Sequence, residues 1–239
     1  MGVFGRINKG HLMPQFDTYR DGRAALASGN DLIQDIEQYE VGFKWAAADT
    51  LSLYATGFYT DIDPRVVTFV FGGAATLTTQ ESQGIELDAV WNTGTGFSMS
   101  LNATFLESEI DVISGADPPP GIDGKETERQ PGWQVRLTPS YEFNLGTVAN
   151  ADVQGTFYGT VSAVDDRFGE AQNVNVLQGY EKFDLGAILR FNEAFIVQLV
   201  ADNITDEDAL TESDPRTILA PNGRFIMPRS FELSVGYEF

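Results

Sequence analysis

The chain has 239 residues, with 15 lysines and arginines against 35 acids, no cysteine, one histidine and a formal charge of −20. Without cysteine there can be no disulfide scaffold, thiolate zinc site, iron–sulfur cluster or cysteine nucleophile, and a lone histidine excludes a multi-histidine metal centre and disfavours a catalytic triad. The acidic surplus disfavours nucleic acid, which needs a basic face, while 42% hydrophobic and 12% aromatic residues supply enough apolar surface to fold.

Period two dominates from the start. Residues 2–8 open the series, and weaker alternation runs through Tyr39–Trp45, Leu51–Asp61 and Ile85–Trp91. The signal is clearest where Phe97, Met99, Leu101, Ala103 and Phe105 interleave with Ser98, Ser100, Asn102 and Thr104. Trp133, Val135, Leu137, Pro139, Tyr141 and Phe143 alternate in the same way with Gln134, Arg136, Thr138, Ser140 and Glu142. Residues 151–162, 183–191 and 195–201 follow, and Phe231, Leu233, Val235, Tyr237 and Phe239 close the chain against Glu232, Ser234, Gly236 and Glu238. Such alternation predicts strands with one apolar and one polar face. No comparable run repeats at 3.6, so almost no helix is expected.

Ten strands fit, at about 2–8, 35–46, 49–62, 78–92, 95–108, 130–144, 149–163, 178–191, 194–204 and 225–239. Short connections (Ala46–Asp49, Asn92–Gly96, Gly146–Asn150, Asn192–Glu193) alternate with long ones, which after an opening loop at 9–34 cover roughly 62–80, 108–130, 162–178 and 204–228. The tight turns therefore gather at one end of the sheet and the long loops at the other. A soluble sandwich also alternates, but its strands average about 5–6 residues, whereas a tilted membrane strand needs about 9–11. Aromatics beside the short turns (Trp45, Trp91, Phe97, Phe143, Phe191, Phe195) suit an interfacial belt. Charges at mid-strand on the opposite face suit a wet lumen. These features predict an all-β, antiparallel transmembrane β-barrel segment. Along the chain nothing marks a second domain, no run of about 18 apolar residues could form a spanning helix, and Met1–Gly10 lacks the apolar stretch of a secretory signal.

Several segments carry a family likeness: Gly5-Arg-Ile-Asn-Lys-Gly10, Gln38-Tyr-Glu-Val-Gly42, Leu51–Asp61, Ser82-Gln-Gly-Ile-Glu-Leu87, Ala201-Asp-Asn-Ile-Thr-Asp206 and Pro228–Phe239. In their order and spacing they resemble the C-terminal part of the barrel of TonB-dependent outer-membrane receptors. The resemblance implies a 22-strand barrel around a plug. Residues 1–239 would supply its last ten strands, and the N-terminal strands, plug and TonB box would lie elsewhere. It further implies a Gram-negative outer membrane with lipid and lipopolysaccharide around the wall, and contact with the TonB complex through the plug. The barrel-assembly machinery would read a terminal strand marked by Tyr237 and Phe239. The implied function is energy-coupled import of a scarce nutrient such as a siderophore, cobalamin or oligosaccharide. The alternative is a small closed ten-strand barrel acting as a passive pore or adhesion module, in which the first and last strands would pair.

Candidate ligand contacts are loop and lumen residues: Arg129, Arg136, Arg167, Phe168 and Arg224, with Phe69, Phe71 and Arg216 beside them. The negative charge disfavours an anionic ligand held by these strands alone, unless other parts of the receptor supply basic groups. Acidic clusters at the outer strand ends (Asp61/Asp63, Asp165/Asp166, Asp206/Glu207/Asp208) lack the spacing of a calcium loop, so no metal, cofactor or catalytic residue is expected. Asn203, within Asn-Ile-Thr, reads as a turn-former and His11 as an exposed loop histidine.

Overall fold

The computed structural model describes residues 1–13, 19, 23–27, 29, 32–47, 50–68, 75–114, 121–192, 194–213 and 223–238. Ten strands form one antiparallel sheet: β1 (Gly2–Leu12), β2 (Gln34–Ala47), β3 (Leu51–Thr68), β4 (Ala75–Asn92), β5 (Phe97–Ser114), β6 (Trp133–Val148), β7 (Ala151–Val164), β10 (Tyr180–Phe191), β11 (Phe195–Asp202) and β14 (Ser230–Tyr237). Short strands β8 (Arg167–Phe168) and β9 (Val176–Leu177) pair in one long loop, and β12 (Leu210–Ser213) and β13 (Gly223–Phe225) in another. A one-turn helix, α1 (Arg23–Ala27), lies between β1 and β2. Neighbours in sequence are neighbours in the sheet, so the chain winds up and down without a crossover.

Register converts the alternation into two faces. Lys44 pairs with Tyr54, Tyr54 with Asp88, Asp88 with Asn102 and Asn102 with Arg136. The next level on the other face reads Trp45, Leu53, Ala89, Leu101 and Leu137. Across the main ladders even-numbered residues meet even and odd meet odd, so one polar face and one apolar face persist from β1 to β14. The rule breaks at the outer ends of β3 and β4, where Arg65 pairs with Thr78 and Leu77 with Ser114, and at the turn between β6 and β7, where Val148 pairs with Ala151 and a bulge between Asn144 and Gly146 restores it. That turn is closed by Ala149 and Asn150, both at positive φ (51° and 66°), the backbone of a tight two-residue hairpin.

Four strand pairs use a second joining device. The rings of Phe4, Phe58, Phe143 and Tyr158 lie over the glycines directly opposite them: Gly42, Gly84, Gly155 and Gly186. A Cβ on Gly186 would sit 2.1 Å from the Tyr158 ring and one on Gly155 would sit 2.3 Å from Phe143. The aromatic covers backbone that glycine leaves bare and pins the register at that point.

The structure alters several expected boundaries. The strands β3, β4 and β5 each run 18 residues, so the loops expected at 62–80 and 108–130 are shorter than they read. Backbone pairing continues past the membrane because ladder hydrogen bonds form equally well beside water. His11 lies in β1 rather than in a loop, with its Nδ1 2.5 Å from Asp35 Oδ1. The single strand expected over 225–239 is two, since β13 pairs with β12 and the stretch after it contains Pro228, which has no N–H to donate. Phe69, Phe71, Arg216 and Phe239 lie outside the described residues.

No ladder joins β1 to β14 among the described residues; they are the outermost strands of the sheet. The closed ten-strand barrel, with its end strands paired, is therefore not the arrangement seen. The tightly buried cluster is small: Ile110, Ile122 and Ala171, with Val112 packed on it, all at the long-loop end. On the odd face Val41, Ile85, Leu199 and Leu233 remain exposed, as expected of a surface whose apolar solvent is lipid.

Two measurements check this register. Leu87→Arg, on the apolar face at mid-strand, is expected to destabilise the folded protein in detergent by about 2–4 kcal/mol, whereas Thr104→Arg on the polar face costs much less. Gly186→Val, which drives a branched side chain into the Tyr158 ring, should cost about 1–3 kcal/mol by the same denaturant titration.

Candidate functional site

The polar face and the long loops meet at one end of the sheet. A hollow of about 1540 Å³ opens there, with Arg6, Glu40, Phe58, Leu106, Arg167 and Phe168 in its wall. Arg6 is ion-paired across the β1–β2 ladder with Glu40. Nearer the short turns, Lys44 stands over the rings of Phe4 and Tyr54, with its Nζ 5.1 and 5.5 Å from their centroids. Asn102 donates to Asp88, and Arg136, opposite Asn102 on the next strand, is exposed on the same face. A water-filled face tolerates this mixture of both signs; hydrocarbon does not.

Loops cap the hollow and are cross-tied by their own side chains. Arg129 donates from one guanidinium nitrogen to Glu212 Oε1 (2.7 Å) and from the other to the Ser213 carbonyl (2.7 Å), while its backbone N–H donates to Phe168 O (2.7 Å). Arg167 is buried and donates to the carbonyls of Leu210 (3.1 Å) and Thr211 (3.0 Å), with its guanidinium 5.9 Å from the Tyr180 ring centroid. Glu170 Oε1 accepts from the backbone N–H groups of Val174 (2.6 Å) and Asn175 (2.9 Å), closing its own loop. Asn173 then joins that loop to the preceding one, accepting from Glu126 N and donating to Glu126 O, both at 2.9 Å. Arg65 pairs with Glu128.

The expected ligand contacts thus divide. The guanidiniums of Arg129 and Arg167 are engaged by loop acceptors, which makes them braces of the cap. Arg136 lies open on the polar face, Phe168 is half-buried in the hollow, and Arg224 is a solvent-exposed side chain 3.4 Å from Glu212. Asn203 is fully buried and behaves as the turn-former it reads as: its Nδ2 donates to Glu207 O and Met227 O, and its Oδ1 accepts from Glu207 N. Glu170, Asn173 and the Arg65–Glu128 pair were not legible in the sequence. Their roles depend on loops meeting in space, and nothing in local spacing marks them.

On the outer face the character changes past Tyr39 and Tyr59, whose rings lie 6.3 Å apart. Beyond that pair, outside the apolar band, the ladder level reads Glu37, Asp61, Glu81 and Glu109. Burial and then the neighbouring carboxylates of Glu81, Asp63 and Glu37 push the Asp61 pKa up. Hydrogen bonds from Lys9 (2.7 Å) and Tyr39 (3.0 Å) hold that of Glu37 down. Among the described residues no group of three or more His, Cys, Asp or Glu side chains could hold a metal ion.

An antiparallel meander with one wet and one apolar face, tight turns at one end and a loop-capped hollow at the other defines a segment of an outer-membrane β-barrel. The family described as TonB dependent receptor-like, beta-barrel, matches residues 2–204, and the chain belongs to that family. Among solved structures, the ferric yersiniabactin uptake receptor FyuA of Yersinia pestis superposes with a TM-score of 0.72 at 16% identity, over 99% of this chain and 35% of the receptor. BauA, the ferric preacinetobactin receptor of Acinetobacter baumannii, gives 0.74 at 18% identity over 99% and 34%. The ferripyoverdine receptor of Pseudomonas aeruginosa gives 0.71 at 18% over 99% and 31%. The chain therefore spans about a third of the length of these receptors. Among curated proteins none matches the chain in sequence. The family places the chain in the outer membrane of a Gram-negative bacterium, among the barrels of TonB-dependent receptors.

If Arg167 braces the cap, Arg167→Ala leaves the Leu210 and Thr211 carbonyls without their donor, a loss of about 1–3 kcal/mol. Hydrogen exchange over residues 205–213 should then quicken, whereas Arg136→Ala should leave that segment unchanged.

Proposed function

We propose that the chain forms part of the wall and outer mouth of a ferric-siderophore importer. The observation that carries this reading is the family match over residues 2–204 on a sheet whose wet face opens under a loop cap. Iron chelates are favoured over cobalamin or an oligosaccharide because the structurally similar receptors named above are receptors for ferric siderophores. Further strands, belonging to residues outside this chain, would continue the sheet beyond β1 and β14, and a plug would fill the lumen and couple it to the TonB complex. The barrel-assembly machinery would read the last strand, with Tyr237 and Phe239 as its aromatic signal. Lipopolysaccharide would surround the outer loops.

In this reading the ligand enters under the cap and meets Phe168 and Arg224 first, then Arg136 on the wet wall. Arg129 and Arg167 hold the loops in place rather than the ligand. Transport of an intact chelate asks for binding and release, so no catalytic group or resident cofactor is assigned. With a charge of −20 on this chain, basic groups that draw an anionic chelate inward would come from the plug or the other strands.

Deleting the encoding gene tests the reading. Uptake of iron-55 supplied as ferric siderophores under iron limitation should fall at least about tenfold for one siderophore and be restored by the gene. It should also cease on dissipating the proton-motive force. Uptake of every siderophore at the parental rate, or import that ignores an uncoupler, would contradict it.

A further inference from the structure

The apolar face is not uniform. At the short-turn end a groove of about 320 Å³ crosses β3, β4 and β5, lined by Leu51, Ala89, Trp91, Met99 and Leu101. All five are odd-numbered and so share the lipid-facing side of the sheet. The register explains why the surface dips there. Leu51, Trp91 and Met99 stand in one transverse row, and in the next row Ala89 sits between Leu53 and Leu101. The methyl of Ala89 makes the floor, while the longer side chains make the rim. Trp91 is held upright by an edge-on contact with Phe97, with ring centroids 5.8 Å apart and planes at 75°.

We infer that this groove is a binding site for one acyl chain of a phospholipid of the periplasmic leaflet. The occupant follows from the groove's position. It continues the apolar band without a break, so hydrocarbon covers it, and short turns mark the periplasmic side of such barrels, so the leaflet is the inner one. Its lining is aliphatic apart from Trp91, whose indole pairs an apolar body with an N–H and takes the interfacial level where chain meets headgroup. A side-chain dip of this size, left open in the bilayer, would forfeit contacts that a flexible chain can make by lying in it. Lipid there holds for longer than lipid elsewhere on the apolar face.

Native mass spectrometry of the full receptor carrying this chain, released from its outer membrane into a delipidating detergent, tests the site. The unmodified protein and the control Ala55→Phe, on the same face outside the groove, should each retain a phospholipid. Ala89→Phe, which fills the floor, should lose that adduct by at least about tenfold. Equal retention by Ala89→Phe, no retained phospholipid in the unmodified protein, or lipid A retained instead, would overturn the inference. A second readout leaves the groove intact: with every other tryptophan of the receptor replaced by Phe, Trp45 and Trp133 among them, Trp91 fluorescence is measured in bicelles of phosphatidylethanolamine brominated along its acyl chains. Quenching that outlasts the mixing of brominated with unbrominated lipid supports a held chain, and quenching that drops as fast as the two lipids mix contradicts it.

Discussion

Hydrocarbon offers no partner to a backbone N–H or C=O, and each group left bare there costs several kcal/mol. A chain without long apolar helices can meet that constraint only by pairing strand to strand, each with the next. Here the pairing runs unbroken from β1 to β14, and the side-chain pattern is subordinate to it. With the backbone committed to ladders, side chains alternate outward and inward, and only the odd positions need suit lipid. That division lets a chain carrying 35 acids sit in a membrane, because at mid-strand its charges lie on the even face. A slip of one residue at any ladder would exchange the faces. The glycines under Phe4, Phe58, Phe143 and Tyr158 and the bulge in β6 are the devices that hold or reset the phase.

Above the membrane the same sheet answers to water. Past Tyr39 and Tyr59 the outward positions become acidic, and the strands continue as ordinary polar ladders into the loops. There the energetics turn conventional: a small apolar cluster around Ile110 and Ile122, and guanidinium and amide side chains that satisfy loop carbonyls. The mouth of the hollow is consequently shaped by side chains spent on structure. An arginine in an outer loop is therefore a poor guide to ligand contact by itself: Arg167 is consumed by the cap, whereas Arg136, deeper on the wall, remains exposed.

Much of this was legible in the sequence, for a physical reason. Alternation in a barrel is imposed by two solvents at once, so strands such as Phe97–Phe105 and Trp133–Phe143 declare both their type and their faces. The tight turns were legible too, and so was the role of Asn203. Strand ends were not. Beyond the bilayer both faces meet water, the alternation fades, and the 18-residue lengths of β3 to β5 carry no periodic signature. Nor was the cap, because Arg129 reaches Glu212 across more than eighty intervening positions and Asn173 reaches Glu126 across more than forty. Pairing at that distance depends on how the loops fold over the mouth. The closures of β8 on β9 and of β12 on β13 were not legible either, because strands this short cannot show a period of two.

The most direct test of the account exploits the absence of cysteine from the chain. Single cysteines placed one at a time from Ile85 to Trp91 and carrying a nitroxide report whether oxygen dissolved in lipid or a water-soluble nickel chelate relaxes each label. The account predicts a period of two, with oxygen dominating at residues 85, 87, 89 and 91 and the chelate at 86, 88 and 90 once the lumen is open to solvent. A flat profile, a period near 3.6, or the same alternation with the two relaxants exchanged would contradict it.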